Sequence, residues 1–328
     1  MQDDIVLERR GGWGVVTFNR PAALNALTRQ MCVALDEALT AWADDPSVIG
    51  VVAHGAGDKA FCAGGDVRAV RAQALEDMSE ARRFFADEYA MNRRLFNFPK
   101  PYVALIDGIC MGGGVGVSWH GRYRVAGPKT LWAMPETGIG FFPDVGVSWQ
   151  LARLQPGLGA WLALTGARLG AADCFWAGVA THHCPNQNAL FSELLAVTAA
   201  DAVETVLRKH HVDPGESPVA EQAADIARLF CSADLETIAQ ALETHDAPWA
   251  EAARAALSTA SPTALAVTLR HLHETLAMPF ELAILQDYRL ACRMLEHGDF
   301  LEGVRALLVD KDRNPRWQPL GEVDRFFR

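Results

Sequence analysis

Apolar and polar positions along the chain change period several times, and each change marks an element. The stretch DIVLERRGGWGVVTFNRP, from Asp4 to Pro21, reads as two short strands joined by a glycine turn. From Leu27 the apolar residues recur at helical spacing, at Met31, Leu35, Leu39 and Trp42, and Pro46 ends the run. VIGVVAHG is a short unbroken apolar run, as in a strand buried on both faces. A loop, AGDKAFCAGGD, then leads into a helical region from Val67 to Leu95. KPYVALIDGIC supplies another buried strand, MGGGVGVSWHG a glycine-rich turn into a helix, and YRVAGPKTLWAMP a further strand. This alternation predicts an α/β fold with largely parallel strands. After about Pro185 strand signals stop, and Ala- and Leu-rich amphipathic helices follow, one opened by a Ser261 cap with Pro262 at its first position. The expected organisation is an α/β core over residues 1–186 and a helical region over 187–328 packing on it.

Composition changes this picture mainly by exclusion. Half of the 328 residues are hydrophobic, 21% are charged and mean hydropathy is +0.04, as in a soluble globular chain. The net charge of −10, without a basic block, argues against nucleic acid or an anionic membrane as a partner. The acidic start, MQDDIVLERR, lacks the apolar region of a signal peptide. No apolar run approaches the ~18 residues that span a bilayer. The seven cysteines are scattered, without CxxC spacing, which predicts reduced thiols and a cytoplasmic protein.

Candidate chemistry sits in three places. Two glycine clusters, FCAGGD and MGGGVG, follow buried strands. Neither fits GxGxxG or GxxxxGK[ST], so dinucleotide and P-loop binding are disfavoured. They serve either close helix–strand packing or a pair of N–H groups aimed at one oxygen, an oxyanion hole. The third place is MPETGIGFFPDVG, which sets Glu136 and Asp144 among glycines, prolines and large apolar side chains. A carboxylate there must be paired, hydrogen-bonded or shifted in pKa. Two such groups suit acid–base or nucleophilic chemistry, while Asp144 could equally cap the helix begun by VGVSWQLARL. In THHCP, adjacent His182 and His183 point to opposite strand faces, so no metal site is expected. Cys62 and Cys110 lack a neighbouring histidine and read as small buried thiols.

NRPAALNAL, AFCAGGDV, KPYVALIDGICMGGGVGVS, MPETGIGFFPDVG and DFLEGVRALLVDKDRNPRW occur in that order. Together they resemble the enoyl-CoA hydratase/isomerase (crotonase) superfamily, in particular its 3-hydroxyisobutyryl-CoA hydrolase branch, over nearly the whole chain. The resemblance implies a spiral of ββα units with a helical C-terminal region, and an acyl-CoA thioester as substrate. It places the oxyanion donors at the backbone N–H groups of Gly65 and Gly113. It places the site carboxylates at Glu136 and Asp144, and a substrate contact at Glu88, whose other reading is a solvated helix-face charge. Asn25 and Ala26 would lie near the coenzyme. No cofactor is implied beyond the coenzyme A of the substrate, and a homo-oligomer is compatible with the superfamily.

One position departs from the hydratases, which carry a catalytic glutamate just after the second glycine cluster. Here it is Gly116. Hydration of a double bond needs one group for water and one for the α-carbon, and glycine supplies neither. Thioester hydrolysis demands less, because a thiolate leaves readily. Glu136 could then activate water or attack directly, and Asp144 could hold a 3-hydroxyl or the water. An isomerase of the same superfamily and a non-catalytic acyl-CoA binder are the alternatives. Arg68, Lys311 and Arg313 are candidate cations for the coenzyme phosphates.

Overall fold

In the computed structural model residues 3–328 are described; Met1 and Gln2, which open the acidic N-terminal stretch, lie outside them. The glycine turn closes the expected hairpin: β1 (Ile5–Arg10) pairs antiparallel with β2 (Trp13–Phe18), Ile5 opposite Phe18. Seven further strands follow: β3 (Gly50–Gly55), β4 (Ala60–Cys62), β5 (Tyr102–Ile106), β6 (Ile109–Met111), β7 (Tyr123–Ala126), β8 (Leu131–Ala133) and β9 (His182–His183). They form a six-stranded sheet in the order β1-β2-β3-β5-β7-β9, parallel from β2 onward, and a three-stranded sheet, β4-β6-β8. This is the mixed α/β architecture read from the pattern.

Three stretches that read as single elements are each split in two. YRVAGPKTLWAMP gives β7 in the large sheet and β8 in the small one. KPYVALIDGIC breaks at Gly108, whose φ of +79° and approach to the Lys59 carbonyl turn β5 into β6 of the other sheet. The helical region from Val67 is two helices, Val67–Glu76 and Met78–Phe96, because Asp77 takes an extended conformation and its carboxylate accepts from the Ser79 N–H and hydroxyl. No strand follows His183 among the described residues.

The chain divides into two compact units, each built from three segments: 1–65, 90–132 and 169–220, and 66–89, 133–168 and 221–328. The partition therefore differs from a single break at 186/187. Helices Gln187–Ala196 and Val203–His210 belong with the large sheet, because Leu190, Leu194, Val203 and Leu207 share a core with Trp13, Val15, Val52, Val103 and Val125. In the second unit helix Pro262–Leu276 packs on Val147–Leu151 and Leu158–Thr165. The Ser261 hydroxyl caps it as expected, accepting from Ala264 N–H at 3.0 Å, and also donates to Asp299 at 2.6 Å.

Candidate active site

The stretch Met134–Gly146 lies wholly in the second unit. Glu136 opens a 3₁₀ turn, Glu136–Ile139, which Gly140 closes in the left-handed region with φ +71°. A β-carbon on Gly140 would stand 2.6 Å from the Asp299 backbone, so only glycine fits. The apolar residues after it enter an aromatic cluster. Phe141 stacks on Phe85 with ring centres 5.3 Å apart and meets Phe300 at 5.1 Å, while Phe142 meets the His271 ring edge-on at 5.5 Å. Val145 and Gly146 then both take positive φ, 53° and 76°. For a β-branched residue that is strained backbone, held by its surroundings.

This loop gathers three acids. Glu88, Glu136 and Asp144 are only 2%, 7% and 6% exposed. Tyr89 donates its phenol proton to Asp144 Oδ2 at 2.6 Å. Glu88 Oε1 and Glu136 Oε2 are buried without a hydrogen-bond partner. Burial, followed by the charge of Asp144, pushes Glu88 and Glu136 well above the usual carboxylate range. Asp144 is raised to about 7: burial dominates, the Tyr89 hydrogen bond opposes it, and the Asp287 charge adds to it. Burial thus holds all three acids above the range of free carboxylates. Burial and the nearby acids hold the Tyr89 phenol protonated, so it remains a donor.

Two bland readings fail here. Asp144 caps no helix with its side chain: Val147–Leu151 has Gly146 at its cap position, and only the Asp144 backbone carbonyl accepts from Val147 N–H. Glu88 is not a solvated charge, since it lies on the buried stripe of its helix with Phe84, Phe85 and Met91.

The glycine loops lie in the first unit and touch each other. Gly64 has φ +113°, and a β-carbon on it would stand 3.2 Å from the Met111 carbonyl and 3.6 Å from the Gly113 nitrogen. Gly65 bridges to Leu27, and Gly113 begins the helix Gly113–Trp119. A β-carbon on Gly114 would collide with the Cys62 carbonyl at 2.0 Å. Close packing accounts for Gly114, which leaves the N–H groups of Gly65 and Gly113 as the candidates for chemistry. Gly116 is buried within that helix.

Other candidates resolve into structure. Asn25 is buried and spans the chain, donating to the carbonyls of Ala56 and Ala60 and accepting from Arg20 N–H. Cys62 and Cys110 are buried, and burial pushes the Cys110 thiol to about 12, too high for a nucleophile at neutral pH. His183 faces the Val212 carbonyl and His182 the Thr181 hydroxyl. Among the described residues no three His, Cys, Asp or Glu side chains are grouped to hold a metal ion. Arg68, Lys311 and Arg313 are exposed.

Sequence reasoning missed Tyr89, His271 and Asp287. Asp287 accepts from Gly146 N–H at 2.6 Å and lies 2.5 Å from His271 Nε2. A signal was available. Asp287 falls on the helix stripe of Ala283, Ile284, Leu290 and Met294, and a charge on an apolar stripe must find a buried partner.

The enoyl-CoA hydratase/isomerase family profile matches residues 13–325. The chain belongs to that family. Among curated members, the mitochondrial 3-hydroxyisobutyryl-CoA hydrolase of Mus musculus is 42% identical over 98% of this chain and 86% of its own length. The protein of that name from Homo sapiens is 41% identical over 97% of this chain and 84% of its own. Among solved structures of the family, a carnitinyl-CoA dehydratase from Mycobacterium thermoresistibile matches with a TM-score of 0.94 at 41% identity, over 100% of this chain and 97% of that one. An enoyl-CoA hydratase from Rhodobacter sphaeroides matches with a TM-score of 0.92 at 38% identity, over 99% and 97%. The crotonase-type fold expected from the motifs is therefore the fold of this family member.

Proposed function

We propose that this chain hydrolyses a short 3-hydroxyacyl-CoA thioester, 3-hydroxyisobutyryl-CoA, to the free acid and coenzyme A. The observation that carries this reading is the 41–42% identity, over at least 96% of the chain, to hydrolases of that name. The carboxylate cluster suits the chemistry. Water adds to the carbonyl carbon as Glu136 takes its proton, and the C–S bond then breaks with its electron pair on sulfur. In the other route Glu136 attacks the carbonyl itself, the C–S bond breaks to release the coenzyme A thiolate, and water opens the resulting anhydride. Either route uses ionised Glu136, and its unpartnered Oε2 is the oxygen ready for it. The leaving thiol has an ordinary pKa of about 8.5 and needs little help from an acid.

Asp144, with Oδ2 fixed by Tyr89, accepts from the substrate 3-hydroxyl or from the water, and Glu88 contacts the acyl group. The N–H groups of Gly65 and Gly113 serve the oxygen on which negative charge develops, a donor typically worth ~3 kcal/mol. Coenzyme A belongs to the substrate, and no separate cofactor takes part. No described helix is long and apolar enough to cross a membrane. The hydrolase relatives are named as mitochondrial. Free thiols at the cysteines suit a reducing compartment, for which the cytoplasm is our assignment.

A second reading, hydration or dehydration at the acyl chain, is favoured by the names of the two matching structures. Gly116 weighs against it. One assay separates the two: hydrolysis of 3-hydroxyisobutyryl-CoA releases free thiol, whereas dehydration builds a conjugated double bond and releases none. With the wild type releasing thiol, Glu136→Gln should lower kcat by at least about 100-fold while acyl-CoA affinity stays within a few fold. Near-wild-type turnover in this variant would remove Glu136 from the mechanism.

A further inference from the structure

Asp144 is followed by strained Val145 and then Gly146, so something must hold this corner where it is. Beneath it lies a chain of polar groups, buried at Asp287 and His271 and half-buried at Gln286 and Glu274, that the proposed hydrolysis does not use. The Gly146 N–H donates to Asp287 Oδ2 at 2.6 Å, and Asp287 Oδ1 lies 2.5 Å from His271 Nε2. On the far side of the ring, Gln286 Nε2 faces His271 Nδ1 at 3.2 Å and donates to Glu274 Oε2 at 2.8 Å. Glu274 fixes the Gln286 amide with its N–H groups outward, which makes His271 Nδ1 an acceptor and places the ring proton on Nε2, toward Asp287. His271 and Asp287 are 0% and 1% exposed, and His271 also abuts Phe142 of the same loop.

We propose that Asp287, held by His271, is the positioning residue of the carboxylate cluster: through the Gly146 amide it locks the strained corner that aims Asp144. The inference rests on Asp144 taking part in the proposed hydrolysis. Asp287 also acts through charge, being one of the groups that raise Asp144. The titratable groups around Asp144 are Glu88 and Tyr89 from one helix, Glu136 from the 3₁₀ turn, and His271 and Asp287 from two others. Asp287 and His271 are the two among them whose replacement leaves every group assigned to the chemistry in place.

The test is thiol release from 3-hydroxyisobutyryl-CoA, with kcat and KM measured across pH. Asp287→Asn keeps an acceptor for Gly146 but loses the charge. It should move the acid limb of the kcat profile to lower pH by about half a unit or more, with KM within threefold. At position 271, Gln can still donate to Asp287, whereas Leu only fills the space. His271→Gln should stay within about threefold of wild-type kcat, and His271→Leu should lose at least about tenfold. A packing role predicts the opposite order at 271 and an unmoved limb at 287. An unmoved limb, or a Leu variant as active as the Gln variant, overturns the inference; if one variant fails to fold, the other position decides. A wild type that releases no thiol overturns the hydrolase reading and this one with it, whereas an active wild type with indifferent variants overturns this one alone.

Discussion

Asp144 makes the site costly to fold, and the cost has a sign. Burial pushes its carboxyl up to about 7 in the folded chain, from an ordinary 3.8. Between those values the folded state holds a proton that the unfolded chain has released. Stability contributed by the protonated form is full at low pH, falls as pH rises through this window, and stays low above it. That difference corresponds to an upper figure of about 4 kcal/mol. Asp144→Asn removes that penalty, so the variant should melt above the wild type at pH 8, with the difference shrinking toward pH 5. The same variant should lose more than tenfold in kcat/KM on a 3-hydroxyacyl-CoA, because the neutral amide accepts more weakly by ~1–3 kcal/mol. A smaller loss on an acyl-CoA without the hydroxyl assigns Asp144 to that hydroxyl, and an equal loss assigns it to the water. Unchanged rates on both would remove it from the site. That Glu136 and Asp144 are buried together was legible because carboxylates between phenylalanines have no cheap structural use. Tyr89 and His271 were not, because each is a single polar residue inside an otherwise ordinary helix, and its partner is remote in sequence; Asp287 stands out as a charge on an apolar stripe, but the sequence does not name its partner.

At the scale of elements, period and punctuation read correctly wherever a segment answers to its own residues. The β1–β2 hairpin and the helix Arg29–Asp44, capped by Thr28, needed no tertiary information. One failure has a cause that is remote in sequence. KPYVALIDGIC is continuous as a hydrophobic pattern, yet Gly108 turns it against the Lys59 carbonyl, a contact 49 positions away that no local pattern carries. The 3₁₀ turn at Glu136 depends on the same kind of contact. Gly140→Ala would impose a side chain at φ +71° and within 2.6 Å of the Asp299 backbone. Strain and overpacking together should cost about 2–5 kcal/mol. A lower denaturant midpoint at constant slope reads that cost, and kcat should fall with it because Glu136 opens the turn. Gly138→Ala is the control, with negative φ and no neighbour within 4 Å of its β-carbon, and should shift stability by less than about 0.5 kcal/mol. Equal effects at both glycines would mean that the turn tolerates a β-carbon at either place.

For the whole molecule, the family was legible from ordered motifs, whereas the division into units was not. Each unit is assembled from three segments, and composition shifts only mark boundaries that are continuous in sequence. Net charge is the one bulk property that bears directly on turnover. The chain carries −10, and coenzyme A thioesters are themselves polyanions, so long-range encounter is repulsive. Arg305 is occupied by Glu302, Asp310 and Asp312, and exposed Lys311 and Arg313 alternate with those same acids. Raising ionic strength from about 0.01 M to 0.15 M shortens the screening length from about 30 Å to about 8 Å. Screening should weaken the repulsion more than it weakens contacts made at close range. The expected outcome is therefore a kcat/KM that rises across this range while kcat stays flat, since the buried carboxylates are screened little by salt. A kcat/KM that instead falls several-fold would mean that a local cationic patch governs capture of the coenzyme and that the net charge is a misleading guide. Charge reversal at Lys311 and Arg313 would then show whether the patch is theirs.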